Sequence, residues 1–159
     1  HSIYAMRLAK KGELLTHNKD RGVLIIMKME DVIETDLETI FPDMTLGDLI
    51  NIISKSTRNI YPVVERNSGK LLGIVTLDEV RNIMFRSELY GRFKVRKLMV
   101  SPPAKILYNT PMDKVMDLFE GTGAWNLPVV DKGGVYKGFV SKSKIFSSYR
   151  ELLVHYSHD

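Results

Sequence analysis

The six residues Asn59 to Val64 (NIYPVV) return as Trp125 to Val130 (WNLPVV), with Pro62 and Pro128 at an offset of 66. The offset reaches further back along the chain. Leu46, Leu49, Ile50 and Ile53 recur as Met112, Val115, Met116 and Phe119, and both sets follow the i, i+3, i+4, i+7 spacing of an amphipathic helix. Thr45 precedes the first set. Thr110 and Pro111 precede the second, as N-cap and first helical residue.

After each PVV comes a turn signal, Asn67-Ser68-Gly69 or Lys132-Gly133-Gly134, and then Lys70 to Thr76 (KLLGIVT) or Val135 to Ser141 (VYKGFVS). These spell two hairpins. From Pro62 to Gly73 is 11 steps and from Pro128 to Gly138 is 10, so the copies differ by one residue in the loop, where length changes are tolerated best. A second helical pattern follows each hairpin, carrying Val80, Ile83 and Met84 or Ile145, Tyr149 and Leu152. The leading strand rests on Thr39 to Phe41 and Ala104 to Leu107. One unit is therefore strand, helix, strand, strand, helix. A unit of about 60 residues buries only about 60% of its unfolded surface, so the pattern predicts two copies sharing a core instead of one standing alone.

The composition, 44% hydrophobic and 26% charged, is that of a soluble globular chain. Its longest aliphatic run, Val23 to Met27, is far short of the roughly 20 residues that span a bilayer. Cysteine is absent, which removes disulfides, thiolate nucleophiles and cysteine metal sites and suits a reducing compartment. The net charge is +4, unevenly placed: Glu30 to Asp48 holds seven acids and no base, while Tyr90 to Lys97 (YGRFKVRK) interleaves bases with aromatics as a solvated connector. Ser2 to Leu15 is expected to form a short helix broken near Gly12. The absence of an initial methionine is what an excised fragment would show.

The constellations an enzyme needs are missing. His155 and His158 share a helical face but sit at the chain end, and His1 and His17 stand apart from them. The acidic run lacks the spacing of a calcium loop. Asn67 to Lys70 (NSGK) lacks the first glycine and the final hydroxyl of a P-loop, and Gly121 to Trp125 (GTGAW) reads as a helix C-cap. Thr76 and Glu79 have the spacing of a capping box.

Paired motifs of this kind, Tyr61-Pro62-Val63-Val64 with Gly73-Ile74-Val75-Thr76 and Leu127-Pro128-Val129-Val130 with Gly138-Phe139-Val140-Ser141, resemble a tandem CBS domain pair, also called a Bateman module. The resemblance implies an α/β (α+β) fold of two β-α-β-β-α repeats about a pseudo-two-fold axis. Repeats are expected at 29–86 and 95–159, with a connector at 87–94 and a lead-in segment at 1–28. Ile3 to Arg21, Gly123 to Asp131 and Gly138 to Leu153 are further similar to the cytoplasmic region of bacterial ClC-type chloride channels and transporters. That implies a regulatory module at the cytoplasmic face of the membrane, partnered by a transmembrane domain of the same polypeptide and by a second copy of itself, without catalysis, metal or nucleic acid.

In CBS pairs an adenine nucleotide (ATP, ADP or AMP) is held by a hydroxyl and an acid in the pattern G-h-h-[ST]-x-x-D, with the backbone before PVV of the other repeat. Carried over, one cleft combines Thr76 and Glu79 with Ala104, Lys105, Trp125, Asn126 and Leu127. The other combines Thr39, Ile60 and Tyr61 with Ser141 and Lys144, where lysine replaces the ribose-binding acid. The alternatives are a ligand-free dimerisation module and a nucleotide sensor belonging to another membrane transporter.

Overall fold

The computed structural model describes residues 18–157, so the expected helix at Ser2 to Leu15 and the residues His1, His17 and His158 lie outside the described residues. The fold is mixed α/β. One short helix, α1 (Asn18–Ile26), precedes the first copy, which contributes α2 (Met29–Val32), α3 (Leu46–Ser54), β1 (Ile60–Val64), β2 (Leu71–Thr76) and α4 (Leu77–Arg81). The second copy contributes β3 (Ile106–Leu107), α5 (Met112–Thr122), β4 (Asn126–Val130), β5 (Tyr136–Ser141) and α6 (Lys142–Ser157).

Local chemistry accounts for most element ends. Thr45 starts α3 through a reciprocal box, its Oγ1 accepting from the Asp48 N–H at 3.1 Å while its own N–H donates to Asp48 Oδ2 at 3.1 Å. Gly123 ends α5 in the left-handed region, φ 71, as a C-cap glycine does. The start of α5 differs from expectation by one residue. Pro111 holds ψ at 149, outside the helical range, and acts as the N-cap itself, its carbonyl accepting from Lys114 and Val115 N–H groups. Both hairpins form. β1 and β2 pair antiparallel from Ile60 with Thr76 to Val63 with Gly73, and β3, β4 and β5 make a three-stranded sheet in that order.

The leading strand of the first copy is reduced to a single parallel bridge, Ile40 with Val63, in which the Ile40 N–H donates to the Pro62 carbonyl and the Val64 N–H to the Ile40 carbonyl, each at 2.9 Å. Pro42 follows two residues later and offers no N–H to extend the ladder.

The described chain divides into two compact units that cut across the sequence repeats. One comprises residues up to 34 together with 103–129 and from 139 onward, and its core joins Val23, Leu24 and Met29 to Val115, Phe119, Leu127 and Tyr149. α1 therefore buries its apolar face against α5 and α6, and α2 packs on α6, which adds a core contribution invisible in the repeat pattern. The other comprises 35–102 and the hairpin tip 130–138, with Ile40, Leu46, Leu49, Tyr61, Val75 and Val80 at its centre. There the hairpin tip is tied by main-chain bonds, Leu71 N–H to the Gly134 carbonyl and Tyr136 N–H to the Gly69 carbonyl, each at 3.0 Å.

The glycines of the two G-h-h-[ST] motifs are needed for different reasons. A Cβ on Gly73 would stand 2.9 Å from the Val100 carbonyl oxygen, because Ile74 and Val100 exchange two main-chain hydrogen bonds beside it. Gly138 instead takes φ 151, which side-chain-bearing residues rarely adopt.

Candidate functional site

Four of the candidate residues, Ile60, Thr76, Asn126 and Ser141, fall at the ends of strands. In the 35–102 unit, β2 ends at Thr76 and turns directly into α4. The Thr76 N–H donates to Glu79 Oε1 at 2.7 Å and the Thr76 hydroxyl donates to the same oxygen at 2.8 Å, closing the capping box read from the sequence. Both bonds fall on Oε1. The half-exposed carboxylate thus keeps Oε2 for a further donor. With only five residues, α4 is less than two turns long and adds little dipole of its own, so any ligand contact here depends on the hydroxyl and the carboxylate.

Thr39 and Ile60, in the same unit, are half-buried. Tyr61 is fully buried, and its hydroxyl donates to the Arg58 carbonyl at 3.0 Å, so toward a ligand it has backbone alone to offer. Next to Ile60, Arg58 donates to Asp36 Oδ1 at 2.5 Å, and these two line a polar groove with Glu38, Asn51, Lys55 and Thr57. The hydrogen bond from Arg58 holds the Asp36 carboxyl below its ordinary value of 3.8.

In the other unit, Lys105 and Asn126 are exposed, Ala104 is half-buried, and Leu127 is sealed in the core with backbone alone available. Trp125 is 65% exposed, so it does not serve core packing. Its ring lies under Lys142, whose Nζ stands 5.2 Å from the centroid and whose N–H donates to the Trp125 carbonyl at 2.9 Å. The motif pattern gave no place to Lys142. A signal was present in the charge, since a lysine opening a helix opposes the helix dipole and calls for some compensating contact.

Ser141 caps α6, its Oγ accepting from the Lys144 N–H at 3.0 Å. The first turn of α6 holds no acid, and the Lys144 side chain lines a groove together with Asp31, Ser148 and Glu151. Two carboxylates line the same groove as this ammonium, which disfavours a phosphate there.

No group of three or more histidine, cysteine, aspartate or glutamate side chains among the described residues is arranged to hold a metal ion, and no described helix is long and apolar enough to cross a membrane. The candidate residues offer hydroxyl, carboxylate, amide, indole and main-chain groups.

Solved structures share this fold. The CbpB structure in complex with c-di-AMP superposes with a TM-score of 0.73 at 11% identity, covering 88% of this chain and 95% of that one. CBSX2 in complex with AMP gives 0.64 at 20% identity, covering 79% and 97%. The CBS domain of a bacterial CNNM/CorC family Mg2+ transporter in complex with ATP gives 0.68 at 16% identity, covering 87% and 92%. By sequence, the chain is 28% identical over 128 residues to an uncharacterised protein of Methanocaldococcus jannaschii, covering 79% of this chain and 45% of that protein. It is also 28% identical over 109 residues to the inosine-5'-monophosphate dehydrogenase of the same organism, covering 69% and 21%. The chain thus spans less than half the length of these two relatives. Residues 29–86 and 95–151 each match the family model of the CBS domain, and with two such matches in tandem the chain belongs to the CBS domain family as a CBS pair.

Proposed function

We propose that this CBS pair is a regulatory module that binds an adenine nucleotide and acts by binding, without catalysis. The observation that carries the reading is the Thr76–Glu79 box: one carboxylate oxygen closes the helix start while the second is left to accept the vicinal hydroxyls of a ribose. The adenine nucleotides in the related structures, c-di-AMP, AMP and ATP, support the ligand class. The other unit, taken by itself, exposes Trp125 and Asn126 at the start of β4 together with Lys105, an indole, an amide and a cation of the kinds a nucleotide engages.

The parent protein we propose is a ClC-type chloride channel or proton-coupled exchanger, with the module on the cytoplasmic face, dimerising through a second copy. Support comes from the similarity of Ile3 to Arg21 to the segment that follows the last membrane helix of that group, and of Gly123 to Asp131 to its bacterial members. Regulation is then a matter of linkage: a nucleotide that prefers one arrangement of the module shifts transport by its differential affinity and no more.

Titration calorimetry with ATP, ADP, AMP and c-di-AMP, with and without magnesium, tests the ligand. Saturable heat that Glu79→Ala removes is the expected result. No heat at millimolar nucleotide, where a Kd of about 1 mM would still register, overturns it. For the parent, chloride flux through the full-length protein in vesicles is expected to respond to nucleotide and to lose that response in Glu79→Ala.

A second reading, dimerisation without ligand, is favoured by the second copy, where Lys144 stands at the motif position that Glu79 holds in the first. Unchanged sedimentation behaviour with and without nucleotide, joined to a silent titration, selects it.

A further inference from the structure

The connector after α4 was expected to be a solvated link, yet its backbone is fastened to the start of α3. Leu46 N–H donates to the Phe93 carbonyl at 2.7 Å, Gly47 N–H to Tyr90 at 3.0 Å, Val95 N–H to Met44 at 2.9 Å and Arg96 N–H to Pro42 at 3.0 Å. The Tyr90 hydroxyl also donates to the Met84 carbonyl, folding the loop back on itself. A segment held this firmly presents its side chains from a fixed surface.

Those side chains are strongly basic. Residues 81–97 carry Arg81, Arg86, Arg92, Lys94, Arg96 and Lys97 against the single acid Glu88. Arg81 is paired with Asp78 and Arg86 with Glu88, while nearby Asp43 is taken by Arg66. Among the described residues no ion pair engages Arg92, Arg96 or Lys97, all three exposed, and the Lys94 ammonium reaches only the Asp43 carbonyl at 3.4 Å. Ahead of these bases in the same segment stands Phe85, 86% exposed, where burial would ordinarily place a phenyl ring.

We propose that the Phe85 to Lys97 surface docks on an anionic lipid headgroup layer, with Phe85 entering the interface and the four unpaired bases meeting phosphates. A compact basic group with one apolar anchor is what an interfacial contact needs. A single-stranded nucleic acid wants successive open aromatic faces. Here only Phe85 is open, since Tyr90 and Phe93 are half-buried and the Tyr90 hydroxyl is engaged. The inference stands apart from the nucleotide reading, because it uses none of the same residues.

Co-sedimentation of the 159-residue chain with vesicles of phosphatidylcholine, with and without phosphatidylglycerol, tests it. The chain is expected to partition onto the phosphatidylglycerol vesicles alone, with binding that weakens as salt rises. Each base removed should lower partitioning about fivefold, so Arg92→Ala/Arg96→Ala/Lys97→Ala nearly abolishes it. Phe85→Ser, at a site too exposed to disturb folding, should also reduce it, and an unchanged circular dichroism spectrum confirms that both variants are folded. Absence of binding to anionic vesicles, binding indifferent to both variants, or displacement of the vesicles by stoichiometric single-stranded RNA each overturns the proposal.

Discussion

The two helix starts that close the hairpins occupy equivalent positions of the repeat and are chemically opposite. In the first copy, Thr76 meets Glu79 in a closed box at the head of a five-residue helix whose only buried residue is Val80. In the second, Ser141 caps a helix of 16 residues with lysines at positions 142 and 144, and Ile145, Phe146 and Tyr149 sink it into the core. One end is thus built around an available carboxylate on a short, lightly anchored helix. The other is built around packing. The repeat holds two equivalent positions, one carrying a carboxylate and the other the buried apolar side chains.

The most forceful way to break this comparison is to truncate the equivalent anchors. Ile145→Ala should cost about 2–5 kcal/mol in urea unfolding, and Val80→Ala distinctly less, because α6 stands on three buried side chains and α4 on one smaller one. Equal losses would mean that the two helices carry equal structural weight. Next in size is Gly73→Ala, expected to cost about 1–3 kcal/mol because the added methyl meets the rigid Val100 carbonyl, a shift in thermal midpoint being the readout.

Glu79 and Lys144 sharpen the comparison directly. Glu79→Ala opens the capping box at a cost of about 1 kcal/mol and lowers nucleotide affinity at least about tenfold, whereas Lys144→Ala should shift stability by less than about 0.5 kcal/mol and leave affinity unchanged. The smallest effect is in acid. Asp36 is held below its ordinary value by the hydrogen bond from Arg58, and Glu88 by its main-chain and Arg86 bonds. Both carboxyls have depressed folded-state values. They stabilise the fold above the ordinary carboxylate range and lose that contribution as pH falls below it, so Asp36→Asn should flatten the acid limb of the stability profile slightly.

Much of this was legible where the cause is local. Thr45 with Asp48, Gly123 after α5, the turns at Asn67 to Gly69 and Lys132 to Gly134, and the Thr76–Glu79 box each depend on residues within a few positions of one another. The extent of α4 was not legible. Val80, Ile83 and Met84 look like one helical face, but the chain leaves the α-helix after Arg81 and continues through shorter turns, with Ile83 N–H bonded to the Val80 carbonyl and Arg86 N–H to Ile83. Nor could periodicity reveal that Val23, Leu24 and Met29 join the core of α5 and α6, since that contact links residues about a hundred positions apart. The Lys142–Trp125 contact escaped notice for the same reason: it depends on how a strand start meets a helix start, which no motif encodes.

The central claim is that the first copy's helix start, and not the second's, meets the nucleotide. The most direct test follows the backbone amide resonances of residues 76–79 and 141–144 while AMP is titrated into the chain. The account predicts saturable shifts at 76–79 that vanish in Glu79→Ala, with 141–144 unmoved. Shifts confined to 141–144, or none at either end, would contradict it.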